Sequence, residues 1–120
     1  TWIQAMRAGI VIQAEQNWNE DDPFSVSTLK GGNSVIIYHS ASKEFYRYCH
    51  LRDVSVKPGM EITAGVKIGT VGHSGTNASK PGHGEHLHFE INKYDQRSKI
   101  VRPLLEDELK QRIENAKKLT

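Results

Sequence analysis

The stretch His86-Leu87-His88-Phe89-Glu90-Ile91 constrains this chain more than any other. It alternates polar and apolar residues with the period of two that a half-buried strand requires. His86, His88 and Glu90 share one face, while Leu87, Phe89 and Ile91 share the other. Two imidazoles and a carboxylate therefore project together from a backbone whose reverse side is anchored in a core, and rigid elements hold a site more tightly than loops. Such a strand needs a sheet beneath its apolar face and neighbouring strands to supply partners for its polar one.

The remaining sequence supplies strands. Trp2 to Met6 and Gly9 to Ala14 are rich in β-formers. Ser34 to His39 and Glu44 to His50 flank the small polar turn Ser40-Ala41-Ser42-Lys43 and read as a hairpin. On the second of these, simple alternation groups Glu44, Tyr46, Tyr48 and His50 on one face and Phe45, Arg47 and Cys49 on the other. A short strand is expected around Val54 and Val56. Met60 to Thr63 and Val66 to Val71 follow, punctuated by Pro58-Gly59 and Ala64-Gly65. Residues 16–33 form a long polar loop, which is either a functional excursion or a solvated one. A Gly/Ser/Asn/Pro loop from Gly72 to Glu85 delivers the chain into the histidine strand.

After Asn92 the period changes. Leu105, Leu109, Ile113 and Ala116 recur at helical spacing behind Pro103, which suits a first helical turn, and predict an amphipathic helix from about Pro103 to Lys118. Many short strands, frequent glycine turns and one terminal helix define an all-β class: antiparallel sheets in a sandwich-like domain with a groove, plus one C-terminal α-helix. The organisation expected is a domain over 1–102 and a helix over 103–120 that caps the sheet or offers a protein partner a surface.

Composition narrows the function. With 120 residues and a net charge of +2, the chain suits one globular domain, and its scattered basic residues give no nucleic-acid footprint. An anionic partner such as a cell-wall polymer is compatible with that mild positive balance. No apolar run reaches membrane-spanning length. Cys49 is the sole cysteine, so no internal disulfide forms, and its alternation away from the His50 face reads as a buried small side chain.

A His-x-His pair on a strand sets two side chains roughly 7 Å apart, which suits two ligands to one metal or one ligand and one catalytic imidazole. A catalytic zinc keeps three protein ligands and a water. His50, ending a separate strand, is the third imidazole candidate. Three further histidines read differently: His39 and His73 as turn surface, and His83 as a loop residue able to approach the groove or stand in as a ligand. Glu90 is placed either to orient a ligand imidazole or to pair with Arg or Lys on a neighbouring strand.

The ordered series Tyr48-Cys49-His50-Leu51, Val56-Lys57-Pro58-Gly59 through Gly69, Gly72-His73-Ser74-Gly75 and His86 to Ile91 closely resembles the lysostaphin-type (LytM-like) zinc metallopeptidases, which cut peptide bonds in bacterial peptidoglycan. The likeness runs from Thr1 to about Asn92, and Val101-Arg102-Pro103 resembles the closing segment. It implies Zn²⁺ as cofactor, with His88 as a zinc ligand and His86 and His50 beside the metal, assisting the attacking water and the tetrahedral intermediate. Tyr48 matches a frequent aromatic of that family strand, with packing as its role and the substrate groove as the alternative. A peptidoglycan substrate and a periplasmic, cell-envelope or secreted location are implied in the same way.

The resemblance has a gap. The family's other two zinc ligands lie in a His-x-x-x-Asp motif before the segment matching Ile3-Gln4-Ala5, and no histidine precedes His39 in this sequence. The start at Thr1 is read as a fragment whose missing part carries those ligands, and the 120 residues alone are expected to be inactive. A non-catalytic cell-wall-binding or regulatory scaffold is the alternative. A biotinyl- or lipoyl-type carrier is a remote third reading, from the Pro58-Gly59…Gly65-Val66-Lys67-Ile68-Gly69 pattern.

Overall fold

A computed structural model describes residues 1–16, 32–74, 87–104 and 106–118. In chain order the elements are β1 (Trp2–Gln4), β2 (Gly9–Glu15), β3 (Asn33–His39), β4 (Glu44–Val54), β5 (Glu61–Ile62), β6 (Lys67–Val71), β7 (His88–Asp95), β8 (Ile100–Pro103) and α1 (Glu106–Lys118). The strands form one curled antiparallel sheet, ordered β1-β6-β4-β3-β2-β5, with β7 joined to β4 and β8 to β7. The expected all-β, antiparallel class with a single helix is the one observed.

The sheet is built on β4. One of its edges runs along β3, from His39↔Glu44 to Asn33↔Leu51. The other is shared: β7 occupies it from Glu44↔Lys93 to Cys49↔His88, and β6 takes over at Leu51↔Val71 and Val54↔Gly69. His50 stands at the handover. The separate strand expected near Val54 and Val56 is instead the end of this long β4, with Val56 buried just beyond it. Gly69 allows β6 this close, because a Cβ there would overlap the Asp53 carbonyl oxygen.

The core lies on one face, where Val35, Ile37, Tyr46, Tyr48, Leu51, Ile68 and Ile91 are buried. Phe89 packs its ring 5.0 Å from that of Tyr48 and 6.2 Å from that of Tyr46, pinning β7 to β4 through its apolar side. Burying an aromatic or large aliphatic side chain of this kind stabilises by about 2–3 kcal/mol.

The C-terminal boundary differs from expectation. Pro103 closes β8 opposite Asn92, and the helix begins at Glu106. Proline has no N–H to give a ladder and is accommodated at the end of a strand as readily as in a first helical turn. Leu104 then donates its N–H to the Ile91 carbonyl at 2.9 Å and is buried. Leu109 turns its side chain onto the core, and Arg112 Nη1 donates to Glu44 Oε1 at 2.8 Å, fastening α1 to the start of β4. Among the described residues no helix is long and apolar enough to cross a membrane.

Candidate active site

A β-bulge decides where His50 points. The pairs Val35↔Tyr48 and Asn33↔Leu51 enclose one more residue on β4 than on β3. Tyr48 and Leu51 consequently both face the core, at 2% and 0% exposure, with Cys49 and His50 between them. His50 has φ of 63°, in the left-handed region that a non-glycine residue occupies when its surroundings impose it. The imidazole thus leaves the Tyr46–Tyr48 face to which alternation assigns it. It meets His88 instead, with ring centroids 5.9 Å apart and planes inclined at 68°.

His50 is held from below. Its Nδ1 lies 2.6 Å from the Ser74 carbonyl oxygen, and a carbonyl only accepts, so Nδ1 carries the proton and donates. In the neutral ring that leaves Nε2 with a lone pair, able to take a proton or bind a metal. Ser74 is itself fixed: its hydroxyl accepts from Asn33 N–H at 2.9 Å and donates to the Leu51 carbonyl at 2.6 Å, and the residue is wholly buried. Asn33 Nδ2 also donates to the Arg52 carbonyl at 3.0 Å. One serine therefore ties β3, β4 and the segment after β6 together directly beneath the imidazole.

His88 is held from the side. Its Nε2 lies 3.1 Å from Glu90 Oε1, and with the proton on Nε2 the ring presents Nδ1 as its lone-pair atom. Arg47, opposite Glu90 across the β4–β7 ladder, reaches both carboxylate oxygens with Nη1 at 3.2 and 3.3 Å. Partial burial pushes the Glu90 carboxyl up, but the His88 hydrogen bond and the Arg47 charge outweigh it and hold it below the usual carboxylate range. Glu90 performs both tasks foreseen for it: it orients an imidazole and pairs with an arginine.

The other candidates separate cleanly. Tyr48 is in the core, its hydroxyl accepts from Met6 N–H at 3.0 Å, and burial pushes its phenol up to about 12. That is the packing role, and it gives a substrate groove no surface to touch. Cys49 lies opposite His88 but is wholly buried, and burial pushes its thiol up to about 11, so it is no nucleophile at neutral pH. His39 binds Ser42 within its own turn, with Nδ1 2.8 Å from Oγ. His73 is half-buried beside Ser74. His86, His83, Glu85 and most of the 16–33 loop lie outside the described residues. Gly59 and Gly65, with φ of 92° and 90°, account for the carrier-like pattern as two tight turns.

The fold described by these strands has known counterparts. The model of peptidase family M23 matches residues 1–101, and the chain belongs to that family. The catalytic domain of lysostaphin from Staphylococcus simulans is 25% identical, with a TM-score of 0.61 over 86% of this chain and 66% of that one. A zinc-containing peptidase from Vibrio cholerae is 29% identical, with a TM-score of 0.55 over 82% of this chain and 23% of that one. A variant of the catalytic domain of the prophage-encoded M23 protein EnpA from Enterococcus faecalis, 24% identical, shares the fold with a TM-score of 0.63 over 89% of this chain and 68% of that one. The chain thus spans about two thirds or less of the length of these structures. No curated protein matches it.

The fit to a zinc ion can be tested on the donors themselves. His88 offers Nδ1, but Glu90 is engaged by Arg47 and by His88, and the described residues contain no group of three His, Cys, Asp or Glu able to hold a metal. A catalytic zinc takes three protein ligands. The described residues supply one well-oriented donor and a facing imidazole, not a complete set.

Proposed function

We propose that this chain is the histidine half of a zinc-dependent endopeptidase that cleaves peptide bonds in bacterial peptidoglycan, acting in the periplasm, the cell envelope or outside the cell. The observation that carries the reading is the meeting of His50 and His88, on two different strands, with His50 Nδ1 held by the Ser74 carbonyl and His88 Nε2 by Glu90. His88 is the metal ligand in this reading, and His50 and His86 are the catalytic imidazoles. The chemistry a zinc supplies when bound, polarising the scissile carbonyl and acidifying a water, needs donors beyond the described residues. What this chain contributes is orientation: Ser74 fixes the His50 ring through Nδ1, which makes Nε2 the atom that would accept a proton from water, and Glu90 fixes the His88 ring through Nε2, which makes Nδ1 the atom that would bind a metal.

The test is metal content and cell-wall peptide cleavage by the intact gene product and its variants. His88→Ala should lose metal and activity together, whereas His86→Ala should lose activity and keep most of its metal. Equal metal loss from all the histidine variants would break this division of roles. A second reading, a non-catalytic cell-wall-binding or regulatory scaffold, is favoured by the lack of a three-ligand group among the described residues. Binding of peptidoglycan without metal uptake or cleavage by the intact product would select it.

A further inference from the structure

We propose that the groove between the β3–β4 turn and the β7–β8 hairpin binds a phosphodiester group of an anionic polymer. It lies at the other end of the β4–β7 pair from His50 and His88, about 17 Å away at the rise of a strand. The groove is open and has a volume of about 570 Å³, enough for a phosphate together with the groups it links. Among the described residues its walls carry Lys43, Lys93, Arg97 and Arg102 against the one carboxylate of Asp95. Asp95 accepts from the Arg97 backbone N–H at 2.9 Å and lies 3.8 Å from Arg102 Nε, so it is already engaged. Lys43 and Lys93 have no carboxylate partner among the described residues.

Two details mark this as more than a solvated surface. Lys93 is directly opposite Arg102 on β8 and Glu44 on β4, but Asp95 is taken by Arg102 and the Glu44 carboxylate by Arg7 and Arg112, which leaves the Lys93 charge to an incoming anion. Lys43 has φ of 54°, a conformation that a turn ordinarily gives to Gly or Asn, yet a long cation occupies it at the groove rim. Several cations converging on one point match the several oxygens of a phosphate. Among the described lining residues Tyr94 is the only aromatic, and they offer no run of platforms for stacked bases, which favours a non-nucleic polymer. The groove is separate from the peptidase site and its occupancy does not depend on hydrolysis.

The experiment is calorimetric titration of the chain with a glycerol-phosphate polymer, inorganic phosphate and single-stranded DNA. The variants are Lys43→Gln/Lys93→Gln, both substitutions at exposed or half-exposed positions, and His88→Ala. The polymer should bind the native chain and His88→Ala alike. The double variant should bind it on the order of 100-fold more weakly, at about tenfold for each charge-assisted hydrogen bond removed. Backbone amide shifts on adding polymer to the native chain should concentrate at Lys43, Lys93 and Arg97. Equal binding by the double variant, or shifts centred on His50 and His88, would overturn the proposal. Inorganic phosphate binding as tightly as the polymer would make this a free-phosphate site, and tighter DNA binding would make it a nucleic-acid site; either result also overturns it.

Discussion

The two ends of the β4–β7 pair share one ladder and treat their polar groups in opposite ways. At the Cys49↔His88 end the imidazoles are oriented by partners: His50 by a backbone carbonyl, His88 by Glu90, and Glu90 in turn by Arg47. At the Glu44↔Lys93 end the groove-lining groups are mostly cations, and the carboxylate opposite Lys93 is buried, with Oε1 crowded by donors and Oε2 without a hydrogen-bond partner among the described residues. There Glu44 Oε1 accepts from Arg7 at 3.1 Å, Tyr46 at 3.2 Å and Arg112 at 2.8 Å. Internal hydrogen bonds fix geometry before a substrate arrives, whereas uncompensated charge leaves a surface more stable once an anion has arrived. The first arrangement suits a reaction and the second suits retention.

The largest expected effect tests the oriented end. His50→Ala in the intact, metal-loaded protein should slow peptide cleavage by about 10²–10⁴-fold, the range that a general acid–base group supplies, while its zinc content is unchanged. Cleavage kinetics alongside metal analysis would show it, and unchanged kinetics would remove His50 from the site.

Next comes the buried anchor at the other end. Glu44→Gln should cost roughly 3 kcal/mol of stability by denaturant unfolding, because Arg7 and Arg112 lose their shared anion. Acid should report the same group. Burial pushes the Glu44 carboxyl up, but hydrogen bonds from Ser42, Arg112 and Tyr46 and the Arg112 charge outweigh it, so its pKa lies below the ordinary 4.5. A folded value below the unfolded one means the contribution is complete above about pH 4.5 and is lost as the pH falls through the folded value. The variant should therefore show a flatter stability profile on the acid side.

Ser74→Ala should cost roughly 1–3 kcal/mol, since it strands the Asn33 N–H and the Leu51 carbonyl in a dry interior. It should also lower cleavage by loosening the support beneath His50, and conservative Ser74→Thr should restore the hydrogen bonds. The smallest effect is the most diagnostic of the contrast. Lys93→Gln should leave the stability of the anion-free chain within about 0.5 kcal/mol, because Asp95 already offsets Arg102 and Glu44 faces Lys93 across β4, and should reduce the stabilisation that the polymer gives the native chain.

The histidine strand is legible in the sequence because its information is local. Alternation alone turns Phe89 and Ile91 inward and puts His88 beside Glu90, and both placements hold. Alternation gives His50 the wrong face because the bulge is a mismatch in register between β3 and β4, set by the pairing of distant residues and invisible in either segment alone. Pro103 is drawn into the helix because a proline starts a helix or ends a strand equally well, and only its pairing with Asn92 decides. Ser74 gives one weak signal, a small hydroxyl inside the Gly72-His73-Ser74-Gly75 turn, which reads as turn chemistry. The Arg47–Glu90 pair is foreseeable in kind, and the cross-strand register chooses the arginine.

Cys49 gives the molecule a gauge of its own integrity. It is the single thiol in the chain, wholly shielded, and sits directly across the ladder from His88. An alkylating reagent reaches it only through an opening of the fold, and separation of β7 from β4 is one such opening, so the rate of labelling reports how tightly this part of the sheet stays closed. A ligand that holds His50 and His88 together should slow that reaction, with no need for a spectroscopic tag.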